Sequence, residues 1–167
     1  DLLNCGFVTM LKSIEPVVKV AEDLIAADIK KETALEERVG EILEQNEDEM
    51  EFQRVDRRNM FWLIKKKLAK EYGVILSYED RYNELAHHIL ETSWKNNLIE
   101  YAVSENRVKN VVYSSIESYI ESFQAIEDSV AEKISHYKRK LVPGSEEYDL
   151  IFEKLYEEEL RARGMLS

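Results

Sequence analysis

A basic stretch with a tryptophan inside it is the feature of this sequence that points most directly to ligand binding. Residues 54–70 carry seven basic side chains and a single acid, Asp56. Plotted as a helix at about 100° per residue, the stretch has an apolar face made of Met60, Phe61, Ile64 and Leu68. The opposite arc is made of Arg58, Trp62, Lys65, Lys66 and Lys70.

A tryptophan among cations can bind in two chemically distinct ways. Its ring can stack on a nucleic-acid base while the cations hold the neighbouring phosphates. Tryptophan and arginine are equally the side chains that often anchor protein–protein interfaces. The five residues of the arc are therefore candidate binding residues, for a protein partner or for a nucleic acid.

The same arc also has a purely structural interpretation. Residues 41–51, just before it, carry six acids and no base. Blocks of opposite charge can neutralise each other across a helix–helix contact, and Trp62 would then pack under another helix. The sequence leaves all three interpretations open.

The nearest approach to a metal site is the sequence Glu84-x-x-His87. Its spacing is that of half a di-iron carboxylate site, which needs a second such pair. No other Glu-x-x-His occurs in the chain, and His88 would point about 100° away from His87 on a helix. We therefore predict no metal site and no cofactor.

No set of residues resembles a catalytic centre. Cys5 is the single cysteine and has neither a CxxC partner nor a neighbouring histidine. The glycines form neither GxGxxG nor GxxxxGK[ST], the loops that cradle phosphates. Because nothing assembles a nucleophile, a base and an orienting group, we predict that the protein is not an enzyme and binds no small molecule.

Composition sets the class of protein. The chain has 167 residues, a net charge of −11, and only five glycines and two prolines. Few turn residues and many strong helix formers predict an all-α fold with long helices, and the negative charge argues against a generic polyanion binder. The sequence contains no run of 18 apolar residues, so we predict no membrane span. A lone cysteine suits a reducing compartment, and we predict a cytoplasmic protein.

The chain reads as one helical module written twice, 91 residues apart. At that offset Ser13 falls on Ser104, Val17 on Val108, and Gly73 on Gly164. Eleven identities fall within residues 1–76 without a gap, and a fixed register of this kind is the signature of an internal repeat. We predict tandem modules at residues 1–76 and 77–167 with an elongated outline. A helix at residues 78–95 precedes the second copy, so we expect that the first copy lacks its N-terminal helix in this chain.

Each module contains one long helix. Ser104 is expected to cap one that runs to about Lys140, a rod of roughly 55 Å at 1.5 Å per residue. The first copy starts at Ser13, and its apolar stripe is interrupted where Asp28 and Glu32 replace two aromatic residues of the second copy. Either the first helix breaks near residues 30–33, or the second copy has gained a contact that the first lacks.

Shorter helices follow each long one. We expect helices at about residues 56–72 and 146–163, the latter capped by Ser145 after a Val142–Gly144 break, and a third capped by Ser77. Gly73 and Gly164 should end their helices with a left-handed backbone. A short β pairing is expected between residues 98–101 and 74–76.

Five segments carry a resemblance to a known family. They are GFVT at 6–9, QRVDRRNMFWLIKKKLAKEYGVILSYEDRY at 53–82, LIEYAVSENRVKNVV at 98–112, YKRKLVPGSEEYD at 137–149 and FEKLYEEELRARGML at 152–166. Together they resemble the uncharacterised bacterial family called domain of unknown function family 507. The resemblance implies a helical bacterial protein and supplies no activity or site. The resulting hypothesis is a non-enzymatic interaction protein with a protein partner or a second copy, and a nucleic-acid-binding protein is the alternative.

Overall fold

The computed structural model describes residues 1–137, 139, 141–143 and 145–166. Over these residues the chain is all-α with one short β-ribbon, as predicted. The helices are α1 (Glu15–Gln45), α2 (Glu47–Phe52), α3 (Arg57–Leu68), α4 (Tyr78–Lys95), α5 (Glu105–Ser135) and α6 (Glu146–Ala162). The strands are β1 (Val8–Met10), which precedes α1, and β2 (Ile99–Tyr101), which lies between α4 and α5.

Two compact units divide the chain. Asp1–Ser114 contains the ribbon, α1 to α4 and the start of α5, and Ser115–Ser167 contains the rest of α5 and α6. The predicted modules, residues 1–76 and 77–167, follow the sequence repeat rather than compactness. That division stays a prediction.

The ribbon pairs β1 with β2, not residues 74–76 with 98–101, so the predicted pairing is wrong in its partner. The register is antiparallel, with Val8 opposite Tyr101, Thr9 opposite Glu100, and Met10 opposite Ile99. Residues 8–10 and 99–101 are equivalent at the 91-residue offset. The ribbon is thus built from the same strand of both copies, related by a local two-fold axis at the Thr9–Glu100 pair. A cluster of buried residues covers it, made of Val17, Leu90, Leu98, Ile99 and Val108.

Equivalent positions form the helical cores of the two units. In the first unit, Leu35, Val39 and Leu43 of α1 are buried against α3. In the second unit, Ile126, Val130 and Ile134 of α5 are buried against α6. Each of these pairs is separated by 91 residues, so the two copies bury the same stripe of their long helices.

Two basic side chains fix α3 and α4 on α1. Lys65 of α3 is 4% exposed, and its Nζ lies 2.5 Å from Glu36 Oε1 and 3.1 Å from Glu32 Oε1. Arg81 of α4 is 8% exposed, and its guanidinium lies 2.6 Å from both Glu32 Oε2 and Asp28 Oδ2. Glu32 accepts from both cations, so a single carboxylate joins three helices. We call Asp28, Glu32, Glu36, Lys65 and Arg81 the ion network.

The ion network explains the interrupted stripe of α1. Of the two alternatives for this stripe, the break near residues 30–33 is wrong, because α1 is continuous from Glu15 to Gln45. Asp28 and Glu32 occur within the apolar stripe because they face the cations of α3 and α4. The helix also starts later than predicted: Ile14 is the N-cap residue, without a side-chain cap, and Pro16 lies in the first turn, where its missing N–H costs nothing.

Helix α5 is shorter than predicted and ends at Ser135 rather than near Lys140. The Ser135 hydroxyl donates to the carbonyl of Glu132 at 2.7 Å, and His136 Nδ1 lies 2.8 Å from the same oxygen. Side chains that satisfy a carbonyl in the last turn compete with continued backbone hydrogen bonding. Lys140 itself and Gly144 of the predicted break lie outside the described residues.

The predicted caps at Ser77 and Ser145 and the two predicted terminating glycines are confirmed. Ser77 Oγ accepts from the backbone N–H of Asp80 at 3.4 Å, and Ser145 Oγ accepts from that of Tyr148 at 3.3 Å. Gly73 and Gly164 have φ angles of 65° and 68°. In both turns the residue after the glycine donates back across the turn, as Val74 does to the carbonyl of Ala69 at 2.8 Å.

Replacing Gly73 by Val is expected to lower the free energy of unfolding by about 1–2 kcal/mol, since a side chain strains a left-handed backbone. No atom lies within 4 Å of a Cβ built at Gly73, so strain rather than a clash is the cause. The check is urea denaturation of the variant beside Gly40→Ala. Gly40 lies inside α1 with equally open space, and its replacement should be neutral or stabilising. Equal losses at both sites would contradict the assignment.

The ion network should make the protein sensitive to acid. Burial acts to raise the pKa of Glu32, but hydrogen bonds from Arg81 and Lys65 outweigh it and hold the pKa below 4.5. A depressed carboxyl pKa stabilises the fold above about pH 4.5, and this contribution is lost as the pH falls through the folded-state pKa. The gap in unfolding free energy between the parent and Glu32→Gln should therefore shrink as the pH falls below about 4.5. Glu37→Gln, an exposed change on the same helix, is the control and should show no such convergence.

Candidate functional site

Helix α3 is formed by a clear set of local signals. Asp56 is its N-cap residue, and Oδ1 accepts from the backbone N–H of Arg58 at 2.9 Å. The predicted apolar face is confirmed: Met60, Phe61, Ile64 and Leu68 pack against the α1 core. Three lysines lie in the last turn, where positive charge interacts favourably with the carboxyl end of the helix dipole.

Trp62 lies on the exposed side of α3. Its side chain is 52% exposed, and its ring meets Phe61 edge-on at a centroid distance of 6.2 Å. Nζ of Lys65 lies 5.3 Å from the centre of the Trp62 ring, within range of a cation–π interaction. The tryptophan is thus held by its inner edge while its outer face remains open to solvent.

The structure separates Lys65 from the other candidate residues. Lys65 is the sequence neighbour of the exposed Lys66, but its own side chain points inward to the ion network. Burial acts to lower the pKa of Lys65, but hydrogen bonds to Glu36 and Glu32 outweigh this, and the pKa is raised. A buried lysine with two carboxylate partners is held in place by them and is a structural member of the site.

Arg58, Lys66 and Lys70 remain exposed beside Trp62. Among the residues that the structure describes, none of their side chains has an ion-pair partner. Arg58, Trp62 and Lys66 follow each other at four-residue intervals and so form one row along the helix surface. We call Arg58, Trp62, Lys66 and Lys70 the basic face.

The acidic block at residues 41–51 neutralises little of this charge. In the described part of the chain, its one ion pair with α3 joins Glu47 Oε1 to Arg57 Nη1 at 3.3 Å, and both side chains are more than half exposed. Arg57 does not belong to the basic face. The expected neutralisation is instead carried by Glu32 and Glu36, which lie earlier in α1.

Arg81 is the member of the ion network that the sequence analysis did not identify. It sits in α4, far in sequence from the acids that it binds, and no motif marks it. The available signal was the pair Asp28 and Glu32 within an apolar stripe, since carboxylates that are partly withdrawn from water require a cation. The identity of that cation could not be read from local sequence.

The two adjacent histidines bind different carboxylates. His87 Nδ1 lies 3.2 Å from Glu105 Oε1, and His88 Nε2 lies 3.0 Å from Glu84 Oε1. All four side chains are more than 40% exposed. Within the described ranges, no group of three or more metal-binding side chains comes together. Cys5 is half-buried, and its Sγ donates to the carbonyl oxygen of Leu2 at 3.1 Å.

None of the described helices is both long and apolar enough to cross a membrane. A search of curated proteins found no match to the chain. The family model described as protein of unknown function (DUF507) matches residues 1–165. Because that match covers nearly the whole sequence, the chain belongs to the DUF507 family.

Proposed function

We propose that the protein is a non-enzymatic interaction protein that binds a partner protein through the basic face of α3. The observation that carries the proposal is the exposure of Trp62 between cations without ion-pair partners in the described chain. An exposed tryptophan contributes nothing to the core by its outer face, and it offers a large rigid anchor for an interface. The cations around it favour a partner surface that carries carboxylates.

Nucleic acid is the second candidate ligand. The row formed by Arg58, Trp62 and Lys66 suits it, because a base can stack on the indole while cations contact phosphates on either side. The net charge of −11 disfavours general attraction of a polyanion. A protein partner with an acidic patch meets the same face with a smaller electrostatic cost, and for that reason it is the preferred ligand.

The basic face belongs to the first copy of the repeat alone. At the 91-residue offset, Trp62 corresponds to Glu153, and Lys66 corresponds to Glu157. The core positions of the two copies agree, whereas these surface positions carry opposite charge. Binding is therefore proposed for one helix and not for its counterpart α6.

Truncating Trp62 should leave the fold intact. Because the ring is half exposed, Trp62→Ala is expected to cost about 1 kcal/mol or less, mostly from the lost contact with Lys65. Phe61→Ala on the apolar side of the same helix should cost roughly 3 kcal/mol or more. Thermal melting of both variants tests this, and equal destabilisation would assign Trp62 to the core instead.

Partner binding should depend on Trp62 and not on exposed tryptophan in general. Affinity purification with Trp62→Ala and Lys66→Glu as baits is expected to lose the partners that the parent protein retains. Trp94→Ala is the matched control, since Trp94 is 55% exposed on α4, and it should retain them. Partners that persist with Trp62→Ala would contradict the proposal.

A titration with a fluorescent single-stranded oligonucleotide separates the two candidate ligands. If nucleic acid is the ligand, affinity should fall steeply with salt, because phosphate contacts release counterions. Trp62→Ala should then remove roughly 1–3 kcal/mol of binding free energy. Absence of binding at low salt would exclude nucleic acid and leave the protein partner.

A further inference from the structure

A cleft between α1, α2 and α3 has an apolar interior. Its volume is about 310 Å³, at the lower end of the range for pockets that bind ligands. The apolar part of its wall is made of Ile42, Leu43, Met50, Val55, Met60 and Ile64. A cleft of this size and lining suits one large apolar side chain better than an extended ligand. We call it the α1–α3 cleft.

The turn between α2 and α3 shapes one wall of the α1–α3 cleft. Arg54 has a φ of 55°, a left-handed conformation that is uncommon for residues other than glycine. The next residue, Val55, donates its N–H to the carbonyl of Met50 at 2.9 Å, so α2 ends as helices with a terminating glycine do. This turn brings Val55 and Met50 into the wall of the same cleft.

The rim of the α1–α3 cleft is negatively charged. Glu49 lies on it and accepts from Gln53 Nε2 at 3.1 Å, and both side chains are exposed. The other three carboxylates of α2 are those of Glu47, Asp48 and Glu51. Among the described residues, Glu47 is the one member of α2 with an ion-pair partner. A side chain that fills the cleft is therefore favoured when cations flank it.

The basic face of α3 has this composition. Trp62 is a large apolar side chain, half exposed, and Arg58 and Lys66 lie one turn before and one turn after it. Met60 and Ile64 lie on the opposite side of α3, where they line the α1–α3 cleft. Trp62 therefore points away from the cleft of its own molecule, and it can reach the cleft of another. One chain thus carries an anchor and a site that complements it in polarity and charge.

The charges of the repeat restrict where the basic face can dock. At the 91-residue offset, residues 47–49, all acidic, correspond to residues 138–140, all basic. Repulsion between like charges disfavours docking of the basic face on that second segment. The basic face is thus directed to α2 of another molecule and away from its counterpart in the repeat.

We propose that the α1–α3 cleft receives Trp62 from a second copy of this chain, with the cations of the basic face beside the carboxylates of α2. The inference rests on the proposed function, since it uses the same basic face, and it names the partner. Because the anchor and the cleft are different surfaces, copies join head-to-tail. Each assembly keeps a free anchor at one end and a free cleft at the other, so association continues as the concentration rises.

Complementation between two variants tests the proposal. In sedimentation equilibrium, the average mass of the parent should rise with concentration, and it should fall in high salt, which screens exposed charges. Trp62→Ala removes the anchor and Glu49→Lys reverses a charge on the rim, so each should weaken self-association about tenfold or more. A mixture of the two should form a one-to-one dimer and nothing larger, because the first variant retains only the cleft and the second only the anchor.

The controls separate binding from folding. Trp62 and Glu49 are both exposed, so thermal melting should show that both variants fold as the parent does. Trp94→Ala, which removes an exposed tryptophan of α4, should self-associate like the parent.

Three results would overturn the proposal. They are a parent that stays monomeric at every concentration, variants that associate as the parent does, and a mixture that forms no dimer. If the parent is monomeric but its partners in affinity purification still require Trp62, the proposed function stands and only the second copy is excluded. Loss of association in Glu157→Lys but not in Glu49→Lys would assign the basic face to α6 of the second copy, and it would exclude the α1–α3 cleft.

Discussion

The half-buried carboxylate of Glu32 is the constraint on which the first unit depends. It accepts from Lys65 of α3 and from Arg81 of α4, so both helices are positioned on α1 by one group. Such a network is stable only when every charge has its partner, because a lone buried charge is far more costly than an apolar residue. The basic face follows from this arrangement: α3 is oriented so that Lys65 points inward, and the outer row with Trp62 is left to solvent.

How well each structural feature was predicted depends on how far apart in sequence the residues that determine it lie. Helix caps at Ser77 and Ser145 and the left-handed glycines depend on a few neighbouring residues, and they were predicted correctly. The end of α5 was misplaced because side-chain hydrogen bonds around Ser135 compete with the backbone. The partner of β2 was wrong because strand pairing over a long sequence separation leaves no local trace.

The candidate site shows the same limit in a single helix. A helical wheel correctly assigned the apolar side of α3 and placed Trp62 away from it. It also placed Lys65 with the exposed cations, whereas the structure buries that residue. A helical wheel gives the direction of each side chain around its own helix, but it does not show which neighbouring helix lies in that direction. Because Lys65 lies at the margin of the arc, the carboxylates of α1 decided its role.

The ribbon has a consequence for how the chain folds. The helical contacts within each unit join segments fairly close in sequence, whereas Thr9 and Glu100 are 91 residues apart. Bringing such distant residues together costs roughly 4 kcal/mol of chain entropy by the (3/2)RT ln n relation. Local helix pairs can form and gain packing before that closure, so contacts of low sequence separation should assemble first and ribbon formation should come late. We therefore expect the two short strands to pair after the helices have largely packed.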